Sequence, residues 1–169
     1  MFAKQIGMYK YRKTLYQNYY STHSGKTDQS VQLQHFNQQA RYFRMEFERW
    51  MPSDKNSVIL DIGCGTGSLI KAINELGYSN TEGIDLSQEQ VKMSKEFGVE
   101  GIVEADAHVF LADKSEKYDV IFAVDLIEHL GKDELVDFLE LVKKSLKKGG
   151  RVLFRTPNMD APLSAVFAF

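Results

Sequence analysis

The spacing of apolar positions changes character along the chain. Between residues 57 and 156, short apolar runs alternate with stretches in which apolar residues recur every three or four positions. Val58-Ile59-Leu60-Asp61-Ile62 reads as a short buried strand, and Leu69, Ile70, Ala72, Ile73 and Leu76 follow at helical spacing. Residues 81–86 predict a second strand. Ser87 with Gln90 three positions on has the form of a capping box, opening a helix from Gln88 that stops near Gly98. Residues 101–105 predict a weaker third strand, with a short helical turn over 108–112. Tyr118-Asp119-Val120-Ile121-Phe122-Ala123-Val124 predicts a strong fourth strand. Leu135, Val136, Phe138, Leu139, Val142 and Leu146 predict a helix ending at Gly149-Gly150. Residues 151–156 predict a fifth strand, halted by Pro157. The alternation implies an α/β fold with a doubly wound, mostly parallel sheet covered on both faces.

The first 52 residues differ in kind. Tyr9, Tyr11, Tyr16, Tyr19, Tyr20, Phe36, Tyr42, Phe43, Phe47 and Trp50 are interleaved there with Lys and Arg. Two helices, over 4–20 and 31–50 with a break at 21–29, fit this stretch. Aromatics among basic residues can stack on nucleic acid, but amphipathic helices packing onto the sheet explain the pattern better. The chain thus divides into a helical cap segment, 1–52, and an α/β domain, 53–169. A 169-residue chain with 43% hydrophobic residues can bury a core, and a net charge of −2 gives no pull toward nucleic acid or an anionic membrane. A single cysteine excludes an internal disulfide and suits a reducing compartment. The first residues lack the sustained apolar run of a secretory signal or a membrane span, which makes the cytoplasm the expected location.

Candidate chemistry begins where the first strand meets its helix, at Asp61-Ile62-Gly63-Cys64-Gly65-Thr66-Gly67-Ser68. A glycine turn leading into a helix N-terminus makes a ligand cradle, with N–H groups pointing outward and no Cβ in the way. A dinucleotide fingerprint needs G-x-G-x-x-G, and Ser68 stands at the third glycine position. Asp61 ahead of the turn would repel a pyrophosphate and suits a ligand carrying an ammonium and a sulfonium. Acids also follow the next three strands, at Asp85, Asp106 and Asp125. Each alone could be a helix cap. A repeated acid at strand ends is harder to explain that way, because open α/β sheets bind ligands there.

The string Leu60-Asp61-Ile62-Gly63-Cys64-Gly65, with Gly83-Ile84-Asp85-Leu86-Ser87, Asp125-Leu126-Ile127-Glu128-His129 and Thr156-Pro157-Asn158, resembles the class I S-adenosylmethionine (SAM) methyltransferases. The resemblance covers roughly residues 57–157 and is nearest to those acting on small molecules, quinone precursors, sugars or glycans. It implies that SAM is the cofactor and that the N-terminal segment roofs it, with residues 19–23 nearest the ligand. Asp85 would accept hydrogen bonds from both ribose hydroxyls, and Leu86 would pack on the adenine. Asp106 would accept from the adenine amino group, and the Ala107 N–H would donate to a ring nitrogen. Asp61 would orient the methionine ammonium, with the backbone of Gly63, Cys64 and Gly65 against the methionine end. Asp125 would close the fourth strand beside the methyl-transfer position.

O-methylation needs a base for the hydroxyl proton, and histidine suits that task near neutral pH. His129 is the candidate, with His23 as the fallback. Cys64 reads as small apolar filler. No spacing reads as a metal site, and no Ser-His-Asp arrangement is discernible. Three functions stay open: an active O-methyltransferase on a small molecule or a sugar or glycan hydroxyl, a non-catalytic SAM-binding interaction domain, and an NAD-type oxidoreductase. The class I fold usually carries two further strands after the fifth, and residues 157–169 are too few for them. The expectation is a truncated methyltransferase that binds SAM, turns over little, and self-associates through the fifth-strand edge or its apolar tail.

Overall fold

The computed structural model describes residues 28–157. The expected helix over 4–20, the 19–23 segment and the apolar tail lie outside these residues. Helix α1 spans Gln29–Phe47 and passes into a 3-10 turn at Glu48–Trp50. Five strands follow, β1 (Ile59–Ile62), β2 (Thr81–Asp85), β3 (Ile102–Glu104), β4 (Tyr118–Val124) and β5 (Leu146–Arg155). Helices α2 (Ser68–Glu75), α3 (Gln88–Glu96), α4 (Ala107–Leu111) and α5 (Lys132–Ser145) connect them, with a 3-10 turn at Ile127–His129. The sheet order is β3-β2-β1-β4-β5 and all four pairings are parallel.

This order follows from the sequence pattern. Every residue of β1 is buried, as a central strand covered on both faces must be. On one face Ile59, Val120 and Phe122 pack with Leu69, Ala72 and Ile73 of α2 and with Ala40, Phe43 and Phe47 of α1. Among the described aromatic residues of the N-terminal segment, Phe36, Phe43 and Phe47 are core while Tyr42 and Trp50 are exposed; Phe47 meets Phe122 edge-on, with centroids 5.2 Å apart. On the other face Leu60, Ile62, Ile84 and Ile121 pack with Leu111, Phe138 and Val142 of α4 and α5. Phe36 reaches a third cluster with Cys64, Ile70, Val91, Val99 and Ile102.

Three expectations need correction. The helix predicted to reach Gly149-Gly150 ends at Ser145, and the fifth strand begins at Leu146 rather than Arg151. The last carbonyls of α5 are captured from outside: Glu116 N–H donates to Lys144 O at 3.0 Å and Lys117 N–H to Ser145 O at 2.8 Å. Leu146 then pairs with Tyr118, and a register shift precedes the pairing of Arg151 with Val120. Gly150 packs against this irregularity, where a Cβ would stand 3.0 Å from the carbonyl oxygens of both Lys147 and Tyr118. The capping box is also only half formed. Ser87 Oγ accepts from Gln90 N–H at 3.3 Å, while the Gln90 amide oxygen lies beside Gly65, 2.8 Å from where a Cβ would be.

Candidate functional site

The chain runs from β1 outward to β3 on one side and from β4 to β5 on the other, so the direction of winding reverses between β1 and β4. Beyond the carboxyl ends of these strands the connecting segments diverge and leave a crevice. A cavity of about 470 Å³ opens there. It gathers the acids the sequence scattered over 65 positions: Asp61, Asp85, Asp106 and Asp125 all line it. Gly63, Cys64, Gly65, Leu86, Ala107 and His129 line it too, while His23 and the rest of the 19–23 segment lie outside the described residues.

The glycine turn forms one wall. Gly63 and Cys64 N–H both donate to Ile84 O, at 2.8 and 3.0 Å, which ties the turn to the end of β2. Gly65 (φ 56°) and Gly67 (φ 84°) hold left-handed backbone. A Cβ on Gly67 would stand 2.4 Å from Ile102 Cδ1 and displace that side chain, and the left-handed backbone favours glycine there. Gly67 also begins α2 without a capping side chain.

Each acid has its own environment. Asp61 is the third of the four β1 residues rather than the last, and it is 2% exposed. Burial, reinforced by the nearby Asp85 charge, raises its pKa from 3.8 to about 8. Asp85 ends β2 and shares its carboxylate between two loops, accepting Gly65 N–H at Oδ2 and Ser87 N–H at Oδ1, each at 2.8 Å. Burial pushes its pKa up, and those two N–H groups offset part of the rise. Burial likewise drives the Cys64 thiol well up, with the Asp61 and Asp85 charges adding to it, so it stays protonated and apolar in character. Asp106 caps α4: its Oδ1 accepts from His108 and Val109 N–H at 2.9 and 3.2 Å. Its Oδ2 is buried and has no hydrogen-bond partner among the described residues. Asp125 follows β4 in left-handed backbone (φ 52°) and turns its carboxylate to Arg155, whose Nη2 and Nε donate to its two oxygens. His129 ends the 3-10 turn after β4 and is exposed at the mouth of the cavity.

Other lining residues were not legible in the sequence. Gln39 and Phe43 of α1 reach the cavity, and Ser68 Oγ donates to Gln39 Oε1 at 2.9 Å. Gln90, Leu130 and Phe138 line it as well. Phe43 and Phe138 carried a signal as apolar helix positions, but nothing local separates a cavity wall from core. Among the described residues, no Lys or Arg lines the cavity, and no group of three or more His, Cys, Asp or Glu side chains is placed to hold a metal.

The buried Asp61 carboxyl makes stability depend on pH. Its folded pKa lies above its unfolded one, so between about pH 4 and 8 the folded state holds a proton that the unfolded chain has lost. Stability from this residue therefore falls as pH rises through that window. Asp61→Asn removes the slope. In urea titrations the variant gains about 3–5 kcal/mol over the parent at pH 9 relative to pH 4. The same gap at both pH values would mean that Asp61 is already ionised in the folded protein.

Comparison with known proteins places this chain in a family. The methyltransferase domain family matches residues 33–166. A ubiquinone biosynthesis O-methyltransferase of Hydrogenovibrio crunogenus is 29% identical over 132 residues, covering 74% of this chain and 54% of that protein. One from Pelagibacter ubique is 35% identical over 118 residues, covering 68% of this chain and 47% of that protein. The chain thus spans about half the length of the curated relatives it matches. A crystal structure of a SAM-dependent methyltransferase from Archaeoglobus fulgidus superposes with a TM-score of 0.67 at 22% identity, covering 82% of this chain and 63% of that one. The parallel sheet, the glycine turn after β1 and the match over residues 33–166 agree: this chain belongs to the methyltransferase domain family and has the Rossmann-like fold of the class I enzymes.

Proposed function

We propose that the cavity binds SAM and that the chain serves methyl transfer to a hydroxyl oxygen of a small molecule. The observation that carries this reading is the acidic lining: four Asp side chains, of which Asp61 keeps its proton below about pH 8 and Asp125 is paired with Arg155, and no Lys or Arg among the described residues. Such a wall favours a cationic ligand and opposes a pyrophosphate, which disfavours the NAD-type alternative. The unpartnered Asp106 Oδ2 supports the same ligand, since a buried acceptor without a donor is costly and an adenine amino group would supply one. Asp85 retains acceptor capacity for the ribose hydroxyls beside its two backbone bonds. Leu86 and the Ala107 N–H complete the adenosine end. Asp61 and the backbone of Gly63, Cys64 and Gly65 hold the methionine end, where an ammonium draws the Asp61 carboxyl back to its ionised form. When bound, SAM supplies an electrophilic methyl group. His129, at the mouth, takes the proton of the attacking hydroxyl, and Asp125 lies beside it in the chain segment that borders the transfer position. The named activity of the relatives as O-methyltransferases supports a hydroxyl acceptor.

Calorimetry on one sample with S-adenosylhomocysteine (SAH), SAM and NADH tests this proposal. SAH and SAM bind, and NADH gives no heat at the same concentrations. Affinity for both adenosyl ligands rises with pH up to about 8, because binding an ammonium beside Asp61 expels its proton. Preference for NADH would defeat the proposal.

A further inference from the structure

One guanidinium joins the two walls of the cavity. The α1 wall contributes Gln39 and Phe43, and the wall after β4 contributes Asp125, Leu126 and His129. Arg155, the last residue of β5, does not line the cavity but touches both walls. Its Nη1 donates to Glu46 Oε2 of α1 at 3.0 Å, while its Nε and Nη2 grip the Asp125 carboxylate from two sides. Its Cζ also lies over the Phe43 ring, 5.2 Å from the centroid, and over the Tyr42 ring at 5.9 Å. Backbone and neighbour reinforce the second wall: Asp125 N–H donates to Arg155 O at 2.8 Å, and Thr156 Oγ1 donates to Glu128 Oε2 at 3.2 Å.

This arrangement differs from an ordinary surface ion pair. The side chain is only 27% exposed and serves two carboxylates and two aromatic faces at once. Only a planar, five-donor fork can do this, and a lysine ammonium cannot. Without the guanidinium, Glu46 and Asp125 would be two like charges facing each other across the seam. The left-handed backbone at Asp125 would also lose the side-chain grip that supports it.

We propose that Arg155 is a positioning residue, whose fork clamps helix α1 to the turn after β4 and thereby sets how firmly the cavity retains its adenosyl ligand. The role in ligand retention rests on the SAM reading above, and the clamp itself does not. Arg155 acts through Phe43 and Asp125, at the side of the cavity that also holds His129.

The test uses Arg155→Met, which keeps the stem and removes the fork, and Arg155→Lys, which keeps the charge. Amide hydrogen exchange is read by mass spectrometry on the unliganded protein, and SAH dissociation is read by stopped flow. In Arg155→Met, exchange rises at least tenfold in both residues 36–47 and residues 125–130, and SAH leaves at least tenfold faster. Arg155→Lys restores neither to the parent value. Glu46→Gln alone also loosens residues 125–130, which a merely local contact would not do. Faster exchange confined to β5, or unchanged exchange in either wall, overturns the clamp. Loosened walls with unchanged SAH dissociation overturn the retention role. If the parent binds no SAH, the SAM reading falls and the exchange data still decide the clamp. Should Arg155→Met fail to fold, Arg155→Lys and Glu46→Gln carry the same comparison.

Discussion

Asp85→Ala costs about 2–4 kcal/mol of SAH affinity, roughly 30- to 1000-fold, while the protein stays folded. The two charge-assisted bonds to the ribose proposed above are lost outright. The cost does not stop there, because the same carboxylate accepts Gly65 N–H and Ser87 N–H. Its removal frees Gly65 alone from β2 at the place proposed for the ligand, so the variant binds to a less ordered cradle. The fold tolerates the loss: Ile84 O still holds Gly63 and Cys64, and Gly67 still packs on Ile102. Calorimetry with a thermal melt on the same sample checks the claim. A second readout comes from Asp61, whose raised pKa owes part of its rise to the Asp85 charge. In the variant, the pH dependence of stability moves to lower pH. Parent-like SAH affinity would place the cofactor elsewhere.

His129→Ala lowers methyl transfer by roughly 10²- to 10⁴-fold and leaves SAH affinity within about twofold. The split follows from position. His129 stands at the mouth of the cavity, on the 3-10 turn that Asp125 and Glu128 brace against β5, whereas the adenosyl contacts proposed above lie on β1, β2 and α4. Its own N–H donates to Leu126 O at 3.0 Å, a backbone bond that the substitution keeps, so the turn persists. The measurement needs a chain that turns over, with a phenolic or other small-molecule hydroxyl as acceptor. A variant that keeps most of its activity would leave His129 a shaping residue and turn attention to His23.

Much of this protein is legible in its sequence. The apolar run of β4, the turn at Asp61 to Ser68 and the acid after each strand are local signals, because a buried strand, a left-handed glycine and a helix cap are each satisfied within a few residues. Even so, Asp61 lies inside β1 and Asp125 faces Arg155, so acids alike in the sequence differ in environment.

What the sequence determined, then, was the order of strands and helices, the glycine cradle and the identity of the acids, all written in short-range pattern. The tertiary structure alone decided the rest. It ended α5 at Ser145 because backbone N–H groups 28 residues earlier in the chain take its last carbonyls. It brought Gln39 and Phe43 of α1 to the cavity and set Arg155 between Glu46 and Asp125, partners 109 and 30 residues away. It also gave Asp61 its proton, since a carboxyl is desolvated only by what packs around it. Each of these depends on groups distant in sequence and adjacent in space, and no window along the chain contains both partners.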